Sequence, residues 1–290
     1  MHEISTQLVP FADFNKVRCV KGFEQISHEY PTYLTDESKL SPAPFDYLFF
    51  PMDEAELSAV LKQMSDMKVK VTIAGARTGL VGGCVAPKGA LVSLENFDRV
   101  RKLYYDDTAA EWRVCAQCAV NLRSLNTQIT SKNFPDVERC GNQADQNALQ
   151  RFKEDPTQYF YPPDPTEMSA SIGGTAATNA SGARTFRYGP TRSWIRGLRV
   201  MLPNGEILNI PRGKCFATPG GEFTIFDSKG KSMNLMLPSY RMPCTKNTCG
   251  IFTAPQMDLI DLFIGSEGCF GVITEVVVAL LERTEKISIV

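Results

Sequence analysis

Residues 161–182 read YPPDPTEMSASIGGTAATNASG, in which a stiff proline turn leads into an unbroken run of small residues. Pro162, Pro163 and Pro165 fix the backbone φ angle and withhold N–H donors. Residues 169–182 have little bulk but many hydroxyls and backbone N–H groups. Such a run is typical of a surface on which a large flat ligand lies. A flexible Gly/Ala/Ser linker fits less well, because Ile172 and Asn179 stand among apolar neighbours and a β-rich segment follows directly.

The composition favours a globular protein that binds a small molecule. The 290 residues are 43% hydrophobic, which suffices for one large domain or two modest ones. Lys and Arg number 31 against 32 Asp and Glu, a net charge of −1, so no basic field attracts nucleic acid or an anionic membrane. No apolar run approaches the ~18 residues of a spanning helix, and the N-terminus lacks a signal-peptide pattern. We therefore expect a cytoplasmic protein with no nucleic-acid partner and no transmembrane segment.

Nine cysteines are scattered along the chain, an odd number that favours a reducing compartment over a disulfide framework. Cys115 and Cys118 have CxxC spacing, but they lie in an alternating, strand-like segment with no third ligand nearby, which disfavours a metal or redox role. Cys244 and Cys249 flank a polar loop and are compatible with a metal, a labile disulfide or two unrelated thiols. The sequence predicts no metal site and leaves the roles of both pairs open.

The order of strands and helices predicts an α+β fold rather than a regular βαβ repeat. Strands are expected at 45–51, 69–74, 89–94, 112–120 and 272–281, helices at 53–64 and 121–129, and a further helix near 11–25. Residues 195–208 predict a β-hairpin that turns at Asn204-Gly205. Residues 136–158 and 212–255 lack periodicity, apart from a hairpin near 223–227, and are expected to form long surface loops.

Two glycine-rich turns adjoin predicted strands. Residues 75–83, GARTGLVGG, follow the strand that ends at Ala74, so their backbone N–H groups can converge on an anion. Arg77 and Thr78 add a cation and a hydroxyl for phosphate oxygens. The loop lacks the GK[ST] of a Walker loop, and its spacing is not the GxGxxG of a nicotinamide site. Residues 264–275 form the second turn, and for each turn taken alone a purely structural role remains an alternative.

Taken together, three segments resemble the PCMH-type FAD-binding domain of the vanillyl-alcohol-oxidase superfamily. They are residues 74–83, 161–182 and 265–273. The pattern PPDP, SIGG, ATNASG, RYG-T-R and GSEG-x-x-G-V-I-T, typical of the branch that contains D-lactate dehydrogenase and the FAD-binding subunit of glycolate oxidase, stands here at 162–165, 171–174, 177–182, 187–192 and 265–274. The resemblance covers roughly residues 45–282. It implies an N-terminal extension at 1–44, a two-lobed domain with FAD between a first lobe at about 45–105 and a second at about 106–282, and a tail at 283–290.

The resemblance also implies which residues bind FAD. The first glycine-rich loop would hold the diphosphate, the segment after Pro163 would flank the flavin ring and ribityl chain, and Glu267 would accept a hydrogen bond from a ribose hydroxyl. The sequence has only His2 and His28, neither of them in the first loop, so we expect non-covalent FAD. The implied cofactor-binding residues are Gly75, Ala76, Arg77, Thr78, Gly79, Leu80, Gly82, Gly83, Pro163, Asp164, Ser169, Ile172, Gly173, Gly174, Ala177, Thr178, Asn179, Gly182, Glu267, Gly268, Gly271 and Ile273.

Members of this branch oxidise a 2-hydroxy acid with hydride transfer to flavin, and a cap domain with an HxGDGNxH motif supplies the base and the metal. That motif is absent here, and the chain ends at Val290, where the cap is expected to begin. The resemblance therefore implies an FAD-binding oxidoreductase, or FAD subunit, whose substrate contacts come from a cap or a second protein. It identifies no catalytic residue in this chain.

Two alternatives remain for the function. A non-catalytic flavin-binding or assembly subunit would explain the missing cap motif. A reductase of the UDP-N-acetylenolpyruvoylglucosamine type shares the general FAD domain, but the PPDP and GSEG segments fit it poorly. The basic residues that follow the cofactor segment are candidate ligands for a substrate carboxylate, although structural ion pairs explain such residues more often. They are Arg184, Arg187, Arg192, Arg196 and Lys246.

Overall fold

The structure, a computed structural model, describes residues 4–164, 166–245, 247–248 and 250–283. Fourteen strands are found in this part of the chain: β1 Ile4–Gln7, β2 Cys19–Lys21, β3 Tyr47–Phe49, β4 Val71–Ala74, β5 Ala90–Ser93, β6 Val100–Asp106, β7 Glu111–Gln117, β8 Tyr159–Phe160, β9 Ile195–Met201, β10 Ile207–Pro211, β11 Glu222–Phe226, β12 Ser232–Met236, β13 Val272–Ala279 and β14 Leu281–Glu282. The α-helices are α1 Phe23–Glu29, α2 Glu54–Asp66, α3 Leu122–Ser131, α4 Pro135–Cys140, α5 Gln143–Glu154, α6 Ile172–Ala177, α7 Thr185–Tyr188 and α8 Ile260–Phe263.

The strands form one small and one large sheet, which confirms the predicted α+β class. The small sheet has the order β2-β3-β5-β4, with β3 and β4 parallel to β5 and β2 antiparallel to β3. The large sheet has the order β12-β11-β1-β10-β9-β13-β7-β6 and is mostly antiparallel. Strands β8 and β14 make a separate pair. The lobe built on the small sheet is called the first lobe below, and the lobe built on the large sheet is called the second.

Helix α2 packs between the two lobes. It begins where the Asp53 carboxylate accepts the Glu56 N–H at 2.9 Å, a side-chain cap for the free donors of the first turn. Its apolar face, with Leu57 and Val60, shares one buried cluster with Met201 and Val272 of the large sheet. The two lobes therefore have a common apolar contact, and this contact fixes the position of the loops that extend from each sheet.

The opposite face of the large sheet is covered by α3, α4 and α5. Trp112 packs edge-on against Phe152 of α5, with ring centroids 4.9 Å apart, and both side chains are buried. The prediction of a surface loop at 136–158 is wrong, because most of these residues form α4 and α5. Asn142 and Asp145 cap α5 reciprocally.

Residues 212–255 contain the predicted hairpin, here formed by β11 and β12, and are otherwise largely irregular. Phe223 is buried on the hairpin. Two hydrogen bonds join the ends of the loop that follows β12. Thr253 Oγ1 donates to the Pro238 carbonyl at 3.1 Å, and the Tyr240 hydroxyl donates to the Ile251 carbonyl.

The N-terminal residues contribute to both sheets. Strand β1 lies between β10 and β11 of the large sheet, and β2 forms one edge of the small sheet. The helix expected near residues 11–25 is wrong, because this segment has a short 3₁₀ turn at Phe14–Lys16, then β2, and only then α1. Cys19 pairs with Phe49 in the sheet, and this long-range pairing replaces local helix formation. Among the described residues, no helix is both long enough and apolar enough to cross a membrane.

Candidate functional site

Three loops converge on one cavity between the lobes. The first, residues 75–83, leaves β4 of the small sheet; the second, residues 170–181, includes α6; the third, residues 265–273, leads into β13 of the large sheet. The cavity has a volume of about 360 Å³, within the usual range for small-molecule sites. Its walls therefore come from both lobes and from segments almost 200 residues apart.

Close contacts fix the three loops relative to one another. A Cβ built on Gly75 would lie 2.8 Å from Ser171 Oγ, so the first and second loops meet without room for a side chain. The third loop attaches to the end of α6, where the Gly265 N–H donates to the Ala176 carbonyl at 3.0 Å. The Glu267 N–H makes the equivalent bond to Ala177 at 2.9 Å. The cavity is thus bounded by backbone that hydrogen bonds hold in place.

The first loop presents a row of backbone N–H groups that have no protein partner. Within the described ranges, no hydrogen bond from the backbone N–H groups of residues 78–83 to another protein group is found. The adjacent Cys84 N–H, by contrast, donates to Asp36 Oδ2 at 3.4 Å. Backbone N–H groups need an acceptor, and several that point together into a loop form an anion-binding concavity. This loop is suited to phosphate oxygens.

Small side chains line the wall opposite the first loop. Ala170, Ser171, Gly173, Gly174 and Ala177 all border the cavity. A surface of this kind leaves backbone groups accessible to a flat ring system. The donor set fits a ligand that has both a ring and phosphate groups.

Few charged groups border the cavity. Arg77 supplies a cation, with its guanidinium carbon 4.1 Å from the centroid of the Tyr33 ring. Glu167 and Glu267 supply carboxylates, and the Ser169 N–H, which donates to Glu167 Oε1 at 2.7 Å, lowers the pKa of Glu167. Burial raises the pKa of the Cys84 thiol, although backbone donors act in the opposite direction. The cavity is therefore not strongly charged outside the first loop.

The structure brings most of the predicted cofactor residues together. Those that line the cavity are Gly75, Ala76, Arg77, Thr78, Gly79, Gly83, Gly173, Gly174, Ala177, Thr178, Glu267, Gly268, Gly271 and Ile273. Their contact with a cofactor stays a prediction.

The remaining predicted residues lie outside the lining. Ile172 is fully buried in the core, and the Asn179 amide oxygen accepts the Arg192 N–H at 3.0 Å. Asp164 pairs with Arg184 at 3.4 Å. The rest of this group are Leu80, Gly82, Pro163, Ser169 and Gly182. For Ile172 and Asn179 the structure gives packing and loop support in place of side-chain contact with the cavity.

Several lining residues were not predicted from the sequence. Ser171 and Thr175 belong to the recognised segment, where their hydroxyls were a usable signal. Cys118 and Leu94 follow strands of different sheets and reach the cavity only through the packing of the lobes. Thr248 comes from the irregular segment after β12. The residues missed are Ile73, Val81, Cys84, Leu94, Cys118, Glu167, Ala170, Ser171, Thr175, Ala180, Ser181, Thr248 and Val272.

The candidate carboxylate-binding arginines are largely engaged in the fold. Arg192 donates to Asp261 Oδ1 at 2.9 Å and to the Ile264 carbonyl at 2.5 Å, which ties it to the start of the third loop. Arg196 pairs with Glu111 at 2.7 Å. Burial lowers the pKa of Arg192, although Asp261 acts in the opposite direction. Lys246 lies outside the described residues.

The Cys115 and Cys118 thiols are free and buried. Burial raises the pKa of Cys115 to about 12 and raises that of Cys118 well above its usual range. A thiolate is needed for redox chemistry or metal binding, so these environments oppose both roles. Cys244 is exposed, and Cys249 lies outside the described residues. No cluster of three or more potential metal ligands is found in the part of the chain that the structure describes.

Comparison with known proteins gives matches over most of the chain. A family model described as "FAD binding domain" matches residues 45–141 and 149–211, more than half of the chain. D-lactate dehydrogenase of Anaerostipes hadrus is 31% identical over 80% of this chain and 35% of its own length. Glycolate oxidase subunit GlcD of Bacillus subtilis is 26% identical over 83% of this chain and 38% of its own length.

A third relative has a similar name and coverage. D-2-hydroxyglutarate dehydrogenase of Xanthomonas citri pv. viticola is 29% identical over 80% of this chain and 36% of its own length. The chain thus spans between 35% and 38% of the length of these three relatives. A solved structure of a variant of Phl p 4, a glucose oxidase, aligns with a TM-score of 0.48 and 14% identity over 81% of this chain and 35% of that one.

Proposed function

Because the chain belongs to the FAD-binding domain family, we propose that the cavity where the three loops meet is its FAD site. The family match confirms the resemblance seen in the sequence and FAD as the cofactor. We further propose that the chain is the FAD-binding part of an oxidoreductase that acts on a 2-hydroxy acid. The names of the three relatives support this substrate class.

The row of N–H groups without a protein partner in residues 78–83 carries the proposal. A diphosphate offers several oxygens that can accept these N–H groups together, and Arg77 adds a cation beside them. Residues 78–83 are half-buried or exposed, so their N–H groups bond to water in the free chain, and a diphosphate would replace that water. The first loop is therefore assigned to the diphosphate, as the resemblance implies.

The second and third loops are assigned to the rest of the cofactor. Small residues from Ala170 to Ala177 would lie along the flavin, and the turn around Gly268 would meet the adenine end. Glu267 is exposed and borders the cavity, which supports its role as an acceptor for a ribose hydroxyl. We propose non-covalent binding, because His28 is exposed on α1 and does not border the cavity.

FAD, when bound, supplies the two-electron acceptor for oxidation of a hydroxy acid. The residues of this chain would bind and orient the cofactor through the first loop and limit the access of water through the apolar wall. Within the described residues, the cavity lining has no histidine and Arg77 is its one cation. We therefore propose that a cap region or a second protein chain supplies the base and the contacts to the substrate carboxylate.

The domain limits are also a proposal. Strand β6, at Val100–Asp106, belongs to the large sheet, so we place the change from the first to the second lobe between Ser93 and Val100, earlier than residue 105. We also propose a cytoplasmic location, because nine scattered cysteines are typical of a reducing compartment.

The test is the visible absorption spectrum of the purified chain after incubation with FAD and desalting. We expect the flavin to be retained. D-lactate, glycolate and D-2-hydroxyglutarate are then added without oxygen. Bleaching of the flavin would show that the chain oxidises the hydroxy acid by itself, whereas flavin that stays oxidised would favour a missing partner or the non-catalytic alternative. Loss of all flavin on desalting contradicts the proposed site.

A pair of glycine substitutions tests where the cofactor lies. A Cβ on Gly79 meets no atom within 4 Å, so Gly79→Leu should fold normally and weaken FAD binding at least about tenfold by occupying space beside the first loop. Gly220→Leu lies in the turn before β11, where the nearest atom is 3.7 Å away, and serves as the matched control. Equal affinity in both variants would place the cofactor elsewhere.

A further inference from the structure

The segment from Tyr33 to Leu40 supports the first glycine-rich loop from outside. The Tyr33 ring lies beside the Arg77 guanidinium, and Asp36 Oδ2 accepts the Cys84 N–H at 3.4 Å. Leu40 packs so closely on Gly82 that a Cβ there would overlap it. One short segment thus contacts the loop near its start and at its end. This segment falls in the N-terminal part of the chain, for which the sequence predicted no chemistry.

Tyr33 is held firmly in place. Its side chain is 7% exposed, and its hydroxyl donates to a Glu95 carboxylate oxygen. The same oxygen accepts the Ser93 hydroxyl at 3.2 Å. The ring packs edge-on against Phe50, with centroids 5.5 Å apart and planes at 87°. A ring fixed on two sides is a rigid platform for the cation above it.

Arg77 has no other strong partner among the described residues. None of the ion pairs found among the described residues includes its guanidinium, and its backbone φ of 58° is unusual for a residue with a side chain. Its guanidinium carbon lies 4.1 Å from the Tyr33 ring centroid, close enough for a cation–π contact. The charge therefore remains available to an anion in the cavity, while the ring restricts where the guanidinium lies.

We infer that Tyr33 is a positioning residue that acts through Arg77 and makes the cavity selective for flavins that carry phosphate groups. The inference rests on the proposed FAD site. A guanidinium held by an aromatic face loses less conformational freedom when it binds a phosphate than a mobile one does. Loss of the ring should therefore weaken the binding of a phosphorylated flavin and leave that of an unphosphorylated flavin unchanged.

The experiment compares the dissociation constants of FAD and riboflavin for the full chain, measured by flavin fluorescence. Riboflavin has the same ring system and no phosphate. Tyr33→Leu should weaken FAD binding about fivefold and leave riboflavin binding unchanged. Tyr33→Phe keeps the ring and should stay close to the unsubstituted chain. Tyr47→Leu removes a half-buried ring of the small sheet that stacks on Phe49, and within the described residues this ring has no aromatic contact with Tyr33 and no cation–π contact with Arg77; it is the matched control.

A double substitution separates positioning from structural support. Arg77→Gln should lower the ratio of FAD to riboflavin affinity, and Tyr33→Leu added to Arg77→Gln should lower it no further. Unfolding midpoints without flavin show whether each variant is folded. Where a Tyr33 variant does not fold, Arg77→Gln still shows whether the Arg77 guanidinium contributes to the binding of the flavin phosphates.

Four results would overturn the inference. An equal loss of FAD and riboflavin affinity in Tyr33→Leu would make Tyr33 a structural residue only. A loss in Tyr33→Phe as large as in Tyr33→Leu would exclude the cation–π route. An unchanged FAD affinity in Tyr33→Leu would remove Tyr33 from cofactor binding while the proposed function stands, whereas failure of the unsubstituted chain to bind FAD would overturn both.

Discussion

Gly173 lies so close to Cys118 that its N–H donates to the Cys118 carbonyl at 2.9 Å and no side chain fits between the two residues. A Cβ on Gly173 would overlap the Cys118 side chain and lie 3.0 Å from both the Cα and the carbonyl oxygen of Cys118. This contact joins the start of α6 to the residue that follows β7. It places the wall of the cavity against the large sheet.

We expect Gly173→Ala to lower the free energy of unfolding by about 1–3 kcal/mol, because backbone must move to accept the methyl group. Urea unfolding of the chain without flavin measures the loss. Gly79→Ala is the matched control, since a Cβ on Gly79 meets no atom within 4 Å, and it should change the free energy of unfolding by less than about 0.5 kcal/mol. Equal stability of the two variants would mean that α6 can shift away from Cys118.

An ion pair joins the two lobes. Arg199 of β9 donates from Nε and Nη2 to the two oxygens of Glu54 on α2, at 2.7 and 2.8 Å, and both side chains are mostly shielded from solvent. Arg199→Met should lower the free energy of unfolding by about 1–3 kcal/mol, because it removes two charge-assisted hydrogen bonds and leaves the Glu54 carboxylate with fewer partners.

A double-mutant cycle in urea checks this effect. Arg199→Met combined with Glu54→Gln should cost less than the sum of the two single substitutions. Glu37→Gln removes one partner of an exposed pair, Lys39 and Glu37, and should have almost no effect. Strict additivity of the Arg199 and Glu54 substitutions would show that the pair contributes nothing to the contact between the lobes.

Glu275 should make the folded state sensitive to pH. Burial, followed by the nearby Glu54 carboxylate, raises the pKa of Glu275 above its ordinary value of 4.5, although Arg101 and Arg199 act in the opposite direction. A carboxyl whose folded-state pKa is raised binds its proton more tightly in the folded chain. Its contribution to stability is therefore fully present below about pH 4.5 and is lost as the pH rises through the folded-state pKa.

Glu275→Gln should remove this loss. We expect the free energy of unfolding of the variant, relative to the unsubstituted chain, to increase as the pH is raised from about 4.5 towards 7. Denaturant titrations across this range measure it, with Asp107→Asn at an exposed position as the control. A constant difference between variant and unsubstituted chain would show that Glu275 has no raised pKa.

The thiols of the CxxC segment should be unreactive in the folded chain. Cys115 and Cys118 are buried with raised pKa values, whereas Cys140 and Cys269 are exposed. Iodoacetamide followed by mass spectrometry should find rapid labelling at Cys140 and Cys269 and slow labelling at Cys115 and Cys118. Denaturant should equalise the rates. A Cys115–Cys118 disulfide in the native protein would contradict this prediction and restore a redox role.

Local patterns in the sequence predicted much of the secondary structure. The run from Asp53 to Met64 has a capping residue and an apolar face, and it forms α2. The hairpin around Asn204-Gly205 also forms as predicted, and the buried strand predicted at 272–281 forms over residues 272–279 as β13. The wrong predictions of secondary structure lie at residues 11–25 and 136–158, where the local signals were weak. Residues 136–158 carry too few apolar residues for a clear period, yet Leu149 and Phe152 are enough to anchor α5 on the large sheet.

The sequence by itself was enough to identify the family and the cofactor through its resemblance to the FAD-binding domain family, and to locate the three segments rich in glycine and small residues. Such segments are visible in a sequence because glycine and small residues are needed wherever backbone must approach a ligand closely. Only the tertiary structure decided how these loops meet and which residues outside them support the cavity. Cys118 and Thr248 border it, and Tyr33 contacts Arg77, through contacts between segments far apart in the chain. Such contacts depend on how the two lobes pack, and the packing of lobes leaves no periodic signal in a single sequence.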